Sequence, residues 1–176
     1  MLDSRIHGPL PDDAPPDPGL RVLVPYVRKP LYLTILSERI VSVMTHWMTP
    51  LEHPPSGRLV RCDGGQCEHH RAGRPTRWAG FIACWEHVLA APCVVKMTWN
   101  GAHILLKMFP DGKPLRGRQV ECERMGESNK NPIWWKHGTR RHLDPVPDCP
   151  DILPVLASLY GPEVLEQLRQ RAEEQP

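Results

Sequence analysis

Several features that would assign this chain to a particular class are missing from its sequence. It contains no uninterrupted run of about 18 apolar residues, the length that a transmembrane helix needs, so we expect no membrane association. The opening residues, Met-Leu-Asp-Ser-Arg, lack the apolar stretch of a secretory signal, which predicts a cytoplasmic location. Phenylalanine and tyrosine are scarce, with two and three residues, so the six tryptophans supply most of the aromatic surface.

Patterns typical of hydrolytic active sites are missing as well. The zinc deaminases carry His-x-Glu followed by Pro-Cys-x-x-Cys, and this pattern does not occur in the chain. A metal-dependent nuclease needs clustered carboxylates to hold its metal ions, whereas residues 56–142, the basic centre of the chain, carry no clustered set of acids and offer at best Asp111, Glu121 and Glu123. The sequence therefore predicts a protein that is not an enzyme, with a nuclease as the disfavoured alternative.

Proline divides the chain into three parts. It occurs 21 times and collects in residues 9–18 and 145–154, where it favours extended or irregular backbone. We therefore predict a disordered Pro-rich arm over residues 1–20, a zinc-containing β-domain of the oligonucleotide-binding (OB) type over 21–142, and an acidic Pro-rich linker with C-terminal helices over 143–176.

The net charge of +2 conceals a basic centre between acidic ends. Residues 56–142 carry fifteen Lys and Arg against seven Asp and Glu, an excess of eight positive charges. Residues 1–20 carry one Arg against four Asp, and residues 143–176 carry two Arg against seven acids. A basic centre of this kind is typical of a phosphate-binding surface, although the same charges can simply solvate an ordinary surface.

The hydrophobic pattern indicates many short strands. Alternating β-branched residues within 22–43 give two or three strands, and further strands are predicted at 58–61, 77–85, 93–99, 118–124 and 133–136.

Helices are predicted in two places. One spans Trp99 to Phe109, with Thr98 as its N-cap, and two short amphipathic helices span 152–160 and 163–172. Together with the strands they predict a mainly β (α+β) fold: a small OB-like barrel or sheet with an inserted zinc knuckle and short C-terminal helices.

The densest chemistry lies in the segment Cys62-Asp-Gly-Gly-Gln-Cys67-Glu-His-His70, which we call the knuckle segment. Two thiolates separated by four residues and a Gly-Gly turn can reach one ion, and His69 or His70 can add an imidazole, with His70 the better placed. We predict a closed, structural zinc site here. The alternative is a Gly-rich hairpin whose cysteines are free.

A tetrahedral site needs a fourth ligand. His46, at the end of the preceding strand, and His53, in the following proline-rich loop, are the two upstream candidates. Cys84 is a weaker third candidate, because it lies inside an apolar strand. The remaining lone cysteines are better explained as buried small hydrophobes than as disulfide partners, given the expected reducing compartment.

The tryptophans all fall within or beside the basic centre. Proteins that hold single strands stack bases on aromatic rings and neutralise phosphates with Lys and Arg. The predicted nucleic-acid-binding residues are Arg58, Arg71, Arg74, Arg77, Trp78, Arg116, Arg118, Arg124, Lys130, Trp134, Trp135 and Lys136.

Tryptophan in a small β-domain is also commonly a core residue. For each of the six tryptophans, the alternative is therefore a ring buried in the core that binds no base. Trp134 and Trp135 are adjacent on a strand, so one should be core and the other exposed. Trp78 and Trp85 should likewise point to opposite faces of their strand, with at least one of them buried.

A set of motifs carries a family resemblance. In chain order they are Thr45-His46-Trp47, Gly57-Arg58, Cys62 to Cys67, Arg77-Trp78-Ala79-Gly80-Phe81, Leu115-Arg116-Gly117, Arg124 and Asn131-Pro132. Their order resembles a group of uncharacterised bacterial and phage-like zinc-knuckle proteins. More distantly it is similar to phage single-stranded-DNA-binding proteins, whose OB-fold carries a His-Cys-Cys-Cys zinc subdomain.

The resemblance implies a ligand set and a function. It implies His46, Cys62 and Cys67 as zinc ligands, with His70 standing where that family has its last cysteine, an exchange of thiolate for imidazole. Together with the basic centre and the tryptophans, it predicts a zinc-stabilised, non-catalytic protein that binds single-stranded DNA or RNA with low sequence specificity. The alternative is a protein-interaction adaptor with a structural zinc knuckle, in which the acidic C-terminal region can contact a protein partner.

Overall fold

The computed structural model describes residues 19–27, 29–49, 51, 58–110, 112, 114–126, 133–139, 142–166 and 168. Its dominant element is one mixed sheet of eight strands. They are β1 (Arg21–Leu23), β2 (Leu31–Ile35), β3 (Val41–Met48), β4 (Arg58–Arg61), β5 (Thr76–Glu86), β6 (Ala91–Met97), β7 (Gln119–Arg124) and β8 (Ile133–His137). The helices are α1 (Glu68–Arg71), α2 (Trp99–Met108) and α3 (Leu153–Tyr160). The mainly β prediction is therefore confirmed.

The long strand β5 organises the sheet. On one edge it pairs antiparallel with β6, and on the other its first half pairs with β3 while its last residues pair with β2. The main path runs β1-β6-β5-β2-β7-β8, and β4 adds to the free edge of β3. Among the strands that the structure describes, β1 and β6 are the only pair that runs parallel. Of the two predicted alternatives, barrel or sheet, the described strands form an open sheet.

One face of the sheet is covered by α2. Thr98 caps this helix, because its Oγ1 accepts a hydrogen bond from the Gly101 backbone N–H at 3.3 Å. Ala102 and Leu105, one turn apart, are fully buried and pack with apolar residues from the central strands, among them Ile82. The predicted cap and helix are thus confirmed, and we call this side the α2 face.

The opposite face is covered by the C-terminal segment. Leu156 of α3 and Val164, which follows the helix, are completely buried and pack with Phe81 of β5 and Val94 of β6. The C-terminal helices therefore form part of the core of the sheet, and we call this side the α3 face. The second predicted C-terminal helix is seen over Glu163–Glu166, and most of the rest of 163–172 lies outside the described residues.

The paired tryptophans follow the alternation of their strands. Trp134 is 45% exposed and Trp135 is 3% exposed, as predicted for adjacent residues on β8. Trp78 packs with the core of the α2 face and Trp85 with that of the α3 face, so their opposite orientation is confirmed. The prediction that at least one of them is buried is wrong: both are half-buried, and each lies near one end of β5.

No helix in the described part of the chain is long and apolar enough to cross a membrane. Residues 1–18 of the predicted N-terminal arm lie outside the described residues.

Candidate metal centre

The knuckle segment folds as two tight turns that follow β4. A 3₁₀ turn at Gly64–Gln66 is followed directly by the single-turn helix α1, and Cys67 stands at the junction between them. Gly64 adopts a φ of +64°, a left-handed conformation that glycine adopts without steric cost. The Cys67 N–H donates to the Gly64 carbonyl at 3.1 Å, which closes the turn and brings the second cysteine back toward the first.

His46 reaches this turn from β3. In the sheet it lies opposite Val60 on β4 and opposite Thr76 on β5, and its side chain is completely buried. The imidazole Nδ1 lies 3.3 Å from the Pro75 carbonyl oxygen. Because that oxygen can only accept, Nδ1 carries the proton and the Nε2 lone pair points toward Cys67. A carbonyl partner of this kind is how proteins orient a histidine that binds a metal ion.

The ligand atoms of His46, Cys62 and Cys67 converge in the interior. All lie within 4.8 Å of one another, and all three residues are buried. The His46 Nε2 is 3.4 Å from the Cys67 Sγ. Ligands around a tetrahedral ion at zinc-like bond lengths are separated by about 3.3–3.8 Å, so this distance suits a shared ion. The three residues can therefore hold a metal ion.

His70 and His69 stand at the edge of this trio. The Nδ1 of His70 is 3.8 Å from the Cys62 Sγ, and its ring centroid is 6.2 Å from that of His46. The ring centroid of His69 is 5.7 Å from that of His46. His70 is thus next to one predicted ligand without belonging to the trio, and it is exposed. His53 lies outside the described residues, and Cys84 is buried in the core of the α2 face.

The two thiols differ in their electrostatic environment. Burial raises the pKa of the Cys62 thiol, and the neighbouring Cys67 adds to that effect. Burial acts in the same direction on Cys67, but hydrogen bonds from the backbone of Asp63, His70 and His69 outweigh it and lower the pKa of this thiol. Backbone N–H groups that point at one sulfur stabilise a thiolate, the form that binds a metal ion.

The predicted nucleic-acid-binding residues near the knuckle segment do not share one face. Arg71 and Arg77 are exposed and Arg74 is half-buried. Trp78 lies on the α2 face, with its ring edge-on to Trp99 at 5.4 Å between centroids. Arg77 is its neighbour on β5 and therefore points to the α3 face. Arg58 begins β4, and Lys130 lies outside the described residues.

Three of the predicted arginines are held by the fold. Arg116 donates to the carbonyls of Leu36 at 2.7 Å and of Pro147 at 2.9 Å. Arg124 is 9% exposed and donates to the Pro25 carbonyl at 3.2 Å. The guanidinium of Arg118 stacks 5.0 Å from the centre of the Phe109 ring. Arg116 and Arg124 each bind backbone carbonyls within the fold. These hydrogen bonds account for a cation at both positions, and no ligand is needed to explain them.

The predicted residues on β8 are divided by its alternation. Trp135 faces the core, where its ring is inaccessible to a base. Trp134 and Lys136 point to the other face, which they share with Glu121 and Glu123. Lys136 is paired with Glu123 at 3.2 Å. The exposed indole of Trp134 is therefore in an acidic setting that disfavours phosphate.

The predicted set omits Trp47, Lys96 and Tyr160, which line one surface cavity together with Leu59 and Leu159. The signal for Trp47 was available from the sequence. If His46 points to the metal centre, the next residue on the same strand must point to the opposite face. The sequence did not indicate that Lys96 and Tyr160 line the cavity, because strand pairing and the packing of α3 bring them to it.

Comparisons of the chain with models of protein families, with curated proteins and with solved structures gave no match.

Proposed function

We propose that this chain is a non-catalytic protein that binds single-stranded DNA or RNA with low sequence specificity, and that a structural zinc ion stabilises its binding surface. The observation that carries the proposal is the position of Trp47 and Arg77. Trp47 is 39% exposed on β3, and Arg77 is exposed on the adjacent strand β5. An accessible ring beside a cation is what a stacked base and its phosphate require.

The register of the sheet places these two side chains together. Thr45 lies directly opposite Arg77, and Trp47 is two residues further along on the same face. Diagonal neighbours of this kind lie about 7–8 Å apart, with their β-carbons somewhat closer, which is within reach of two long side chains. Arg61 lies opposite Thr45 on the other side, but its guanidinium is engaged by Asp63 at 2.5 Å. Arg77 is therefore the better phosphate contact of the two.

The charge around the knuckle segment supports an anionic ligand. Residues 58–78 carry five arginines against two acids, a net of three positive charges. Phosphate contacts release counterions, so binding to such a surface weakens steeply as salt is added.

Zinc is the metal that best suits the trio. Two thiolates and an imidazole are among its preferred protein ligands, and His70, whose Nδ1 lies 3.8 Å from the Cys62 Sγ, is the fourth ligand that we propose. A site with four protein ligands has no open position for a substrate, so its role is structural. His46 lies on the strand that also carries Trp47, which makes the metal ion a support for the binding surface. The resemblance to phage single-stranded-DNA-binding proteins agrees with this combination of zinc site and β-sheet.

Titration of the zinc-loaded protein with a fluorescent oligothymidylate at low salt tests the proposal. We expect saturable binding whose affinity falls steeply with added salt. Trp47→Ala should weaken it by about 5–160-fold, because stacking on one ring contributes about 1–3 kcal/mol. Trp134→Ala is the matched control, since this exposed indole lies beside Glu121 and Glu123, and it should change the affinity less than about twofold. The proposal fails if the wild-type protein shows no binding at low salt.

A protein-interaction adaptor is the second candidate function. It is favoured by two exposed apolar side chains in the turn between β5 and β6, where Val88 is 71% and Leu89 is 51% exposed. Under this alternative an oligonucleotide leaves the intrinsic tryptophan fluorescence unchanged, whereas stacking on Trp47 quenches it.

A further inference from the structure

A cavity of about 320 Å³ lies on the α3 face, between the sheet and the end of α3. Trp47 of β3, Leu59 of β4 and Lys96 of β6 line it, and Leu159 and Tyr160 of α3 complete it. This volume is at the lower end of the range for small-molecule sites. Its walls are apolar or aromatic apart from one amine and one phenol, so the cavity fits a ligand with a flat or apolar body and few polar groups.

Lys96 places a positive charge at this cavity. Its Nζ lies 5.9 Å from the centre of the Phe81 ring and 5.8 Å from that of Tyr160. The described residues provide no acidic partner for it. Burial lowers the pKa of this amine, because the charged form loses solvation when it lies against the two rings. A bound anion would supply the missing counter-charge.

Tyr160 contributes a second unsatisfied group. Its hydroxyl is buried and has no hydrogen-bond partner among the described residues. The ring itself is fixed by an edge-on contact with Phe81, at 6.0 Å between centroids. A buried hydroxyl without a partner is costly, and a ligand oxygen or nitrogen that reaches it removes the cost.

We infer that this cavity binds one nucleotide of the bound strand, with its base against the Trp47 indole and its phosphate at the Lys96 ammonium. The inference rests on the proposed function and specifies where on the α3 face the strand is held. Charge complementarity selects an anion, and the indole, together with Leu59 and Leu159, selects a flat body. The base or sugar also offers an acceptor or donor for the Tyr160 hydroxyl.

The experiment compares Lys96→Met with Arg71→Met. Both remove one positive charge and keep a flexible stem, but Arg71 is an exposed residue of α1 that does not line the cavity. We expect Lys96→Met to weaken oligothymidylate binding by at least about tenfold, as for the loss of a charge-assisted hydrogen bond, and Arg71→Met to weaken it by about two- to threefold. Thermal unfolding of both variants checks that they fold as the wild type does.

A calorimetric titration with free thymidine 5′-monophosphate provides the second readout. The wild-type protein should bind it saturably, thymidine should bind at least about tenfold more weakly because it lacks the phosphate, and Lys96→Met should abolish the difference. Tyr160→Phe should weaken monophosphate binding without changing the preference for phosphate.

The two failures are distinguishable. If the wild-type protein binds the oligonucleotide but Lys96→Met and Arg71→Met weaken binding equally, and the monophosphate does not bind, the cavity inference is overturned while the proposed function stands. If the wild-type protein does not bind the oligonucleotide, the proposed function is overturned. Saturable monophosphate binding lost in Lys96→Met would still support the cavity as a nucleotide site.

Discussion

The Nε2 of His46 lies 3.4 Å from the Sγ of Cys67, although the two residues are 21 positions apart in the chain. Strand pairing accounts for this proximity. His46 lies opposite Val60, two residues before Cys62, so the hairpin of β3 and β4 carries the histidine to the start of the knuckle segment. The Cys62 N–H extends the same pairing by donating to the Met44 carbonyl at 2.8 Å. A metal ion at this point would join β3 to α1.

Loss of His46 or of Cys67, two of the three buried ligands, should sharply reduce metal binding. We expect the purified wild-type protein to contain about one zinc ion per chain, and the Cys67→Ser and His46→Ala variants to contain far less, because three remaining donors hold zinc more weakly than four. Both variants should also unfold at lower temperature, since the ion stabilises the fold that binds it. Elemental analysis and thermal unfolding measure these effects. Cys149→Ser, at an exposed cysteine, serves as the control and should retain the ion. Full zinc content in His46→Ala would exclude His46 as a ligand.

The six cysteines should react with a thiol reagent in three stages. In the zinc-loaded protein we expect one reactive thiol, Cys149, because the other five are buried. After a chelator removes the metal ion, the thiols of Cys62 and Cys67 should react as well, because the knuckle segment then opens. The remaining three, Cys84, Cys93 and Cys122, should react only after unfolding, because they lie in the core, out of reach of the reagent, and burial also raises the pKa of each thiol. Mass spectrometry after timed labelling assigns each stage, and labelling of Cys62 at the same rate before and after chelation would contradict the metal site.

Arg116 should act on folding stability rather than on binding. Arg116→Ala removes the hydrogen bonds to the carbonyls of Leu36 and Pro147, and we expect a loss of about 1.5–3 kcal/mol in the free energy of unfolding. The exposed Arg77 is the matched control, and Arg77→Ala should cost less than about 0.5 kcal/mol. Denaturant unfolding measures both. The oligonucleotide affinity should respond in the opposite order, with the larger loss for Arg77→Ala. Unchanged stability with strongly reduced affinity in Arg116→Ala would overturn this assignment.

Gly138 should tolerate no side chain. A β-carbon at this position would lie 2.8 Å from the backbone nitrogen of Val120 and 2.9 Å from the carbonyl carbon of Gln119, so β7 would have to move. We expect Gly138→Ala to destabilise the protein by about 1–3 kcal/mol. Gly65 is the control, because a β-carbon there would meet nothing within 4 Å, and Gly65→Ala should be nearly neutral. The denaturant midpoints of the two variants measure this difference in stability. Equal midpoints would contradict the close approach of Gly138, the residue after β8, to the backbone of β7.

Local patterns predicted the elements of the fold well. The strand at Arg58–Arg61, the helix capped by Thr98 and the alternation at Trp134 and Trp135 follow from propensity, capping chemistry and the two-residue period of a strand. All three depend only on interactions between residues near one another in the chain. The same locality made the Cys62 and Cys67 pair recognisable, because the turn between them is built by its own glycines.

The roles of Arg116 and Arg124 could not be predicted in this way. Arg116 bonds to a carbonyl 80 residues away and Arg124 to one 99 residues away, so each resembled a surface cation until the chain was folded.

The sequence by itself determined the strand-rich architecture, the capped helix and two of the candidate metal ligands, because short-range sterics and hydrogen bonding decide those features. Only the tertiary structure decided that His46 meets Cys67, that Arg77 and Trp47 share one face of adjacent strands, and that Lys96 faces Tyr160 with no acidic partner among the described residues. These relationships depend on strand register and on where α3 packs, and burial of apolar surface across the whole chain sets both.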